Sequence, residues 1–249
     1  MEAYTSFAAV YDTFMDNVPY EEWGVYLKGL LREYKIDHGV VVDLGCGTGS
    51  MTEILAKDGY DMIGIDYSDD MLGIALDKKE KSGLDILYLQ QDMCEVELYS
   101  SVNAFVSVCD SVNYITEPEL LIQMFRNLAP YLEEDGVIIF DFNTEHKYRD
   151  VIGDTTIAEN REECSFIWDN YYYEEEKINE YELSLFIRDE KDENCYHKYE
   201  ETHYQRGYSL AEMKDIIVQS GLKLEHAYDA FTKDEASEMN ERIYMIVKK

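Results

Sequence analysis

Apolar runs and helical patterns alternate along the first 143 residues of the chain. Short apolar runs predict strands at residues 40–44, 61–66, 86–90, 104–109 and 137–142. Between the runs, apolar residues recur at steps of three and four, which predicts helices that begin near Trp23, Met51, Ser68 and Pro118. Largely apolar strands separated by helices are typical of a parallel sheet that is covered on both faces. The pattern therefore predicts an α/β fold.

The pattern changes after residue 143. From about residue 155 to residue 208 there is no clear helix signal, and β-type runs follow one another: SFIW, YYY, ELSLFIR and CYHKYEETHY, with EKDEN at 190–194 as a hairpin turn. We interpret this stretch as an antiparallel β subdomain inserted into the α/β unit. Ser209 and Glu212 then form the capping box of a further helix that Gly221 ends, and strands follow at 222–228 and 242–247.

These elements add up to a seven-stranded, mostly parallel sheet with an inserted antiparallel β subdomain. We assign residues 1–150 and 209–249 to the core of the fold and residues 151–208 to the insert. A chain of 249 residues, 46% of them hydrophobic, is long enough to bury a sizeable core as one large domain or as one domain with a small addition.

The charge of the chain bears on its partners. There are 22 lysines and arginines against 53 aspartates and glutamates, a net charge of −31. Affinity for nucleic acid comes largely from basic side chains on phosphates, so the charge argues against nucleic acid as a partner. Within residues 151–208 there are 16 acidic and six basic residues, which favours a neutral or cationic ligand near the insert.

The cysteines and histidines bear on the compartment and on metal binding. None of the five cysteines forms a C-x-x-C pair and their number is odd, which favours reduced thiols and a cytoplasmic location. The five histidines show no metal-binding spacing, so we expect no metal site. The N-terminus does not have the pattern of a signal peptide, and no stretch approaches about 18 consecutive apolar residues. We therefore expect no membrane span.

The stretch VVDLGCGTGS carries the first chemical signal. Gly45, Gly47 and Gly49 follow the first strand at every second position, one residue short of the G-x-G-x-x-G dinucleotide fingerprint, and no G-K-[ST] follows. Asp43 at the end of this strand has the wrong charge for a pyrophosphate and suits a ligand that carries positive charge. S-adenosylmethionine is such a ligand, with an ammonium group, a sulfonium group and no phosphate.

Two further acidic residues lie where this cofactor needs them. Asp66 ends the second strand and can accept both hydroxyl groups of a ribose, as acids do in related folds. Asp92 follows the third strand and can accept a hydrogen bond from the adenine amino group, while the backbone beside Met93 meets the ring. All three carboxylates lie at the carboxyl ends of adjacent strands, where open α/β sheets bind ligands.

Five segments in order resemble the motifs of the class I S-adenosylmethionine-dependent methyltransferases: VVDLGCGTGS, IGIDYSDDML, LYLQQDMCEV, AFVSVCDSVNYI and LAPYLEEDGVIIFDF. This resemblance covers residues 1–150. The N-terminal stretch YTSFAAVYDTFMDNVPYEEW and the tyrosine-rich insert are similar to small stand-alone bacterial methyltransferases.

The resemblance implies a Rossmann-like methyltransferase fold, S-adenosylmethionine as cofactor and S-adenosylhomocysteine as product. The cofactor site that it implies contains Tyr11, Asp43, Gly45, Cys46, Gly47, Thr48, Gly49, Asp66, Tyr67, Met71, Asp92, Met93, Cys109 and Asp110. Tyr4, Phe7 and Tyr11 share one face of a short helix, which in the family lies over the cofactor as a lid; plain packing on the sheet is the alternative.

The residues after the fourth strand lie below the sulfonium in this family. Here they read CDSVNYI and lack the prolines of [DNS]-P-P-[FY], which argues against methylation of an exocyclic base nitrogen. Turn formation and helix capping are the alternative role of Asp110, Ser111, Asn113 and Tyr114.

No catalytic residue is identified from the sequence. The candidates are His203, Arg206, His146 and Tyr114. On a strand His203 and Arg206 point to opposite faces, and a structural role fits each of them better than a catalytic one.

The sequence leaves three functions open. The first is methyl transfer to a nitrogen or oxygen of a small molecule, with tyrosines of the insert lining an acceptor pocket. The others are methyl transfer to RNA or protein, and cofactor binding without transfer. The sequence leaves the oligomeric state undetermined.

Overall fold

The structure is a computed structural model that describes residues 7–189, 191–192 and 194–249. Tyr4 of the predicted lid helix lies outside the described residues, as do positions 190 and 193 of the predicted hairpin turn. In the part of the chain that is described, no helix is long and apolar enough to cross a membrane.

The core of the fold is a seven-stranded sheet. Its strands are β1 (Gly39–Leu44), β2 (Tyr60–Asp66), β3 (Ile86–Gln90), β4 (Val102–Ser107), β5 (Leu132–Asn143), β10 (Lys223–Asp229) and β11 (Arg242–Lys248). They lie in the order β10-β11-β5-β4-β1-β2-β3, and β11 runs antiparallel to both of its neighbours while the other pairs are parallel. The predicted seven-stranded, mostly parallel sheet is confirmed.

Helices cover both faces of this sheet, because its strands are apolar on both sides. The helices of the fold are α1 (Ala8–Phe14), α2 (Tyr20–Glu33), α3 (Ser50–Lys57), α4 (Asp69–Ser82), α5 (Pro118–Leu128) and α6 (Leu210–Ser220), of which α1 packs against the insert and not against this sheet. Leu27 of α2 and Leu55 of α3 belong to the hydrophobic cluster on one face, and Phe125 of α5 and Ile216 of α6 belong to the cluster on the other. Capping explains where two of these helices begin. The hydroxyls of Ser68 and Ser209 accept hydrogen bonds from backbone N–H groups in the first turns of α4 and α6.

The insert is a four-stranded antiparallel sheet, as the alternating β-type runs predict. Its strands β6 (Thr156–Asn160), β7 (Cys164–Tyr173), β8 (Ile178–Arg188) and β9 (Tyr196–Arg206) pair in chain order. A π-helical turn, Lys147–Ile152, leads from β5 into the insert and has no counterpart in the sequence analysis.

The inner face of the insert packs against α1. Leu183 and Leu185 of β8 form a buried cluster with Phe7, Val10 and Phe14. The apolar face of α1 therefore lies against the insert sheet. As a result α1 stands between the insert and the cavity described below.

Candidate active site

A cavity of about 780 Å³ opens at the carboxyl ends of β1, β2, β3 and β4. Known ligand pockets have volumes of roughly 300–1,000 Å³. Among the described residues, six carboxyl groups belong to its lining: Asp43, Asp66, Asp69, Asp70, Asp92 and Glu95. The side toward β4 is aromatic and apolar, with Tyr11, Tyr20, Val108, Cys109, Tyr114 and Ile115. Among the described residues that line the cavity there is no lysine, arginine or histidine.

The glycine loop forms the floor of this cavity. Gly47 has φ +53°, and a Cβ atom built on it would meet no atom within 4 Å, so a ligand can approach the backbone here. Gly49 has φ +76° and precedes α3; a Cβ atom there would lie 2.3 Å from the Tyr88 hydroxyl. Gly49 does not line the cavity. A ligand can therefore approach the backbone of this loop at Gly47 and not at Gly49.

Asp43 is fully buried beside the loop. Its Oδ2 accepts a hydrogen bond of 2.6 Å from the hydroxyl of Thr52 on α3. Burial raises the pKa of Asp43 to about 6, a rise that the Thr52 hydrogen bond opposes and the nearby Asp66 carboxylate increases. The charge of this carboxyl group therefore changes near pH 6.

Asp66 fastens the glycine loop to the end of β2. Its Oδ2 accepts from the Gly47 N–H at 2.8 Å, and its Oδ1 accepts from the Ser68 N–H at 2.9 Å. Burial raises the pKa of Asp66, and these backbone hydrogen bonds act in the opposite direction. The carboxylate lines the cavity with the loop already ordered around it.

The remaining predicted cofactor residues flank these carboxylates. Asp92 caps a short 3-10 turn through a 2.8 Å hydrogen bond from the Cys94 N–H to its Oδ1, and Met93 follows it in the cavity wall. Tyr67 and Met71 line the cavity after β2, and two thirds of Tyr67 is exposed (66%).

Two cysteines of the predicted cofactor site lie in the cavity wall. Burial raises the pKa of Cys46 and of Cys109 well above the usual value of a thiol. Both thiols are thus uncharged at neutral pH and unsuited to act as nucleophiles. Their small size fits the close packing around the loop.

The loop after β4 has a strained backbone. Cys109 and Asp110 have φ of +61° and +54°, and the carboxylate of Asp141 on β5 accepts hydrogen bonds from their N–H groups at 3.2 and 2.7 Å. Arg242 on β11 pairs with both carboxylates, at 2.5 Å from Asp110 and 3.0 Å from Asp141.

Asp110 was predicted to belong to the cofactor site, but the structure places it elsewhere. It does not line the cavity, because the left-handed turn directs its carboxylate to Arg242 and to Gln205 of the insert, whose Nε2 donates to it at 2.8 Å. Arg242 and Asp141 were missed by the sequence analysis, since nothing in the pattern links positions so far apart in the chain.

A second missed residue is Asp12, which follows the predicted Tyr11. Its Oδ1 accepts a 2.7 Å hydrogen bond from the hydroxyl of Thr48, a loop residue that lines the cavity. Its other oxygen lies 2.6 Å from Lys78 Nζ on α4. Helix α1 thus contacts the glycine loop directly through Asp12.

The four catalytic candidates fall into two groups. Arg206 pairs with Glu212 at 3.0 Å, and His146 lies 2.8 Å from Asp150, so both face ion partners away from the cavity. Tyr114 lines the cavity, and its hydroxyl lies 3.1 Å from Nδ1 of the buried His203. The structure therefore brings Tyr114 and His203 together and places the other two elsewhere.

The prediction that several tyrosines of the insert line an acceptor pocket is wrong for this cavity. Among the described residues, the lining tyrosines are Tyr11, Tyr20, Tyr67 and Tyr114, and none comes from the insert. The reason is that α1 covers the inner face of the insert. The insert reaches the cavity indirectly, through α1 and through its contacts with Tyr114.

Comparison with known proteins identifies relatives of the whole chain. The methyltransferase domain family matches residues 41–136. A protein of Geobacillus sp. (strain WCH70) that is named a methyltransferase is 34% identical over 99% of each chain. A protein of Bacillus subtilis (strain 168) named methyltransferase YqeM is 32% identical over 99% of this chain and 97% of its own.

A solved structure gives the same answer for the fold. The S-adenosylmethionine-dependent methyltransferase from Clostridium acetobutylicum ATCC 824 superposes with a TM-score of 0.87, at 26% identity over 99% of both chains. The chain described here belongs to the family of Rossmann-like S-adenosylmethionine-dependent methyltransferases. It is an enzyme whose cofactor is S-adenosylmethionine. Among the described residues the cavity has six carboxyl groups, no lysine, arginine or histidine in its lining, and an open backbone at Gly47, which fits that cation.

Proposed function

We propose that this enzyme methylates a nitrogen or oxygen atom of a neutral or cationic small molecule. The observation that carries the proposal is the charge of the cavity, in which six carboxyl groups line the wall without a lysine, arginine or histidine among the described lining residues. A phosphorylated acceptor would meet repulsion there, whereas an amine or an uncharged hydroxyl compound would not. The overall charge of −31 acts in the same direction.

The proposed cofactor contacts follow the strand ends. Asp43 and the backbone at Gly47 would hold the methionine part, Asp66 the ribose hydroxyls, and Asp92 with Met93 the adenine. When bound, the cofactor supplies a methyl group on a positively charged sulfur, which is already a good leaving group. What the chain itself has to provide is orientation, which contributes up to about 7–11 kcal/mol in well-aligned reactions.

The proposed acceptor side is the wall next to β4. Tyr11, Tyr20 and Tyr114 combine apolar ring surface with hydroxyl groups that can orient a polar acceptor. In this division of labour, residues 1–150 and 209–249 hold the cofactor. Residues 151–208 support the acceptor side from behind, through α1 and Tyr114.

We also infer that the enzyme works in the cytoplasm. All five cysteines are free thiols in the structure, and thiols of this kind persist in a reducing compartment.

A screen with methyl-labelled S-adenosylmethionine tests the proposal. The panel contains matched pairs, such as glucosamine with glucosamine 6-phosphate and a phenol with its phosphate ester, together with a bacterial metabolite extract, bulk tRNA and a protein extract. We expect label in amines or hydroxyl compounds, and at least about tenfold less in each phosphorylated partner, which corresponds to ~1.4 kcal/mol.

The control for the screen is Asp66→Ala, a variant expected to bind the cofactor more weakly, assayed at a cofactor concentration that saturates only the wild type. Label that enters only tRNA or protein would overturn the small-molecule acceptor. Cofactor binding without transfer to any fraction would show a binding protein instead of an enzyme acting on these compounds.

A further inference from the structure

A chain of hydrogen bonds leads from the cavity wall to a buried carboxylate. Tyr114, which lines the cavity, has its hydroxyl oxygen 3.1 Å from Nδ1 of His203. Nε2 of His203 lies 3.3 Å from Oε2 of Glu201. The side chains of His203 and Glu201 are 0% and 1% exposed, so the chain runs from the ligand cavity into the protein interior.

The partners of His203 determine its tautomer. A carboxylate can only accept, so Nε2 of a neutral His203 carries the proton that it donates to Glu201. Nδ1 is then the acceptor, and the hydroxyl of Tyr114 donates to it. The second hydroxyl at this point, that of Tyr181, lies 2.6 Å from the Tyr114 oxygen and is left to donate to it.

Packing holds this arrangement in register. Tyr181 lies directly opposite His203 in the pairing of β8 with β9, and their rings stack at a centroid distance of 4.6 Å and an interplanar angle of 9°. Trp168 stacks on the other face of the pair, at 3.9 Å from Tyr181. Glu201 is held at its second oxygen, which accepts a 2.9 Å hydrogen bond from the Phe7 N–H.

We propose that Tyr114, His203 and Glu201 form a proton relay that takes up the proton released by the methyl acceptor. Tyr114 acts as the catalytic base, and His203 and Glu201 act through it as positioning residues. The proposal rests on the proposed function, because it needs an acceptor that carries a proton on its nitrogen or oxygen.

The step balances as follows. The lone pair of the acceptor atom forms the bond to the methyl carbon as the carbon–sulfur bond breaks, and that electron pair stays on sulfur. The acceptor proton passes to the Tyr114 oxygen, and the proton of Tyr114 passes to Nδ1 of His203. The resulting imidazolium is paired with the Glu201 carboxylate, the arrangement that a buried carboxylate stabilises in a Ser-His-Asp triad. After product release the two protons move back, and one leaves through the cavity.

The first test needs no acceptor. Long-range proton–nitrogen spectra of protein labelled with ¹⁵N-histidine show which ring nitrogen is protonated, and the His203→Asn variant assigns the signal. We expect His203 to be protonated at Nε2 and its Nδ1 signal to move in Tyr114→Phe. The matched control is Tyr171→Phe on the exposed outer face of the insert, which should leave the signal unchanged. The relay is overturned if His203 is protonated at Nδ1, or if its Nδ1 signal does not move in Tyr114→Phe.

The second test uses an amine acceptor found in the screen. Tyr114→Phe keeps the ring and removes the hydroxyl, so we expect kcat to fall about 100-fold, in the range of general base catalysis, with little change in KM. Glu201→Gln should lower kcat less, because it keeps the shape and removes the charge. Tyr181→Phe, which leaves the relay intact, should cost less than about tenfold.

A merely structural role predicts a different result, in which KM and the melting temperature move and kcat falls equally for all acceptors. The relay predicts that the loss in Tyr114→Phe grows with the basicity of the amine, because a more basic amine holds its proton more tightly. Transfer that survives Tyr114→Phe within about threefold overturns the relay and leaves the proposed function intact. If no compound is methylated at all, the proposed function fails and the relay is rejected with it.

Discussion

Lys78 on α4 and Asp12 on α1 form an ion pair, with Nζ 2.6 Å from Oδ2. Lys78 also donates to the hydroxyls of Thr48 and Ser50, at 3.0 Å each, and Thr48 in turn donates to Asp12. One polar face of α1 is thereby fastened to the glycine loop, while its apolar face packs on the insert. The helix joins the two sheets at the cofactor cavity.

The contacts of Asp12 with Lys78 and Thr48 should increase the affinity of the protein for the cofactor. We expect Asp12→Ala to speed hydrogen exchange in α1 and to weaken S-adenosylmethionine binding about threefold to tenfold, ~1 kcal/mol. The melting temperature should change little, because a partly exposed ion pair contributes only about 0–1 kcal/mol. Glu22→Ala on the exposed side of α2 is the control. Unchanged exchange in α1 would show that the apolar contact alone holds the helix.

The carboxylates of the cavity should exclude NAD, and that of Asp66 should contribute to the affinity for S-adenosylmethionine through the ribose hydroxyls. Calorimetry should show binding of S-adenosylmethionine and S-adenosylhomocysteine and no binding of NAD, whose pyrophosphate would face six carboxyl groups. Asp66→Ala removes a charge-assisted hydrogen bond and should cost about 1.5–3 kcal/mol of binding free energy. Asp66 also orders the loop through Gly47, so Asp66→Asn serves as the matched variant that keeps part of this contact. Equal affinity of wild type and Asp66→Ala would refute the ribose role.

Binding of the cofactor should weaken as the pH falls through about 6, because Asp43 has a pKa of about 6 in the folded protein. A cationic ligand binds the ionised carboxylate better, so the dissociation constant rises below that pH, by at most about tenfold per unit. Thr52→Val removes the hydrogen bond that lowers this pKa. We therefore expect the midpoint of the calorimetric pH profile to shift upward in this variant, and a downward shift would contradict the assignment.

The same pKa has a consequence for stability. A carboxyl group whose folded pKa is raised above its unfolded value of about 3.9 costs stability when it is ionised. This cost of Asp43 is present above pH 6 and disappears as the pH falls toward 4. Asp43→Asn removes this cost. Urea titrations should therefore show that the substitution raises the free energy of unfolding more at pH 7 than at pH 5.

Much of the fold follows from local patterns. The strands, the caps at Ser68 and Ser209 and the glycine loop depend on neighbours in the chain, and each was predictable for that reason. The conformation of the loop after β4 was not predictable, because the positive φ of Cys109 and Asp110 is uncommon for residues other than glycine, even though aspartate adopts it more often than most. They are held there by Asp141, about 30 residues further on.

The candidate site was predictable to a similar degree. The acids at the carboxyl ends of β1, β2 and β3 lie in the cavity because parallel strands end at one edge of a sheet. The acceptor side depends on packing between distant segments, such as α1 on β8, which no periodicity encodes. The insert was therefore expected to line the cavity directly, although α1 and Tyr114 stand between them.

The charge of the protein should exclude polyanions. At physiological salt we expect no measurable binding of bulk tRNA or duplex DNA in a gel-shift experiment, since the net charge is −31 and no lining base faces the cavity among the residues described. Micromolar affinity would reveal a basic face and make RNA the leading acceptor.

The largely buried cluster around Arg242 should be sensitive to the loss of its cation. Arg242 is 15% exposed, pairs with Asp110 and Asp141, and lies with its guanidinium 5.6 Å from the centre of the Trp23 ring. Arg242→Met keeps most of the apolar stem but leaves two neighbouring carboxylates without their cation, which should cost about 3–5 kcal/mol of unfolding free energy at pH 7.

Acid should partly rescue that variant. Burial raises the pKa of Asp141 and Arg242 opposes the rise, so removing the arginine raises the pKa further. The folded variant then binds more protons than the unfolded chain above the unfolded pKa of about 3.9, and its deficit relative to wild type shrinks as the pH falls from 7 to 5. The double variant Arg242→Met with Asp141→Asn removes the charge directly and should be more stable at pH 7 than Arg242→Met alone. If Asp141→Asn brings no recovery in chemical denaturation, the loss lies in packing against Trp23 and the electrostatic account of this cluster is wrong.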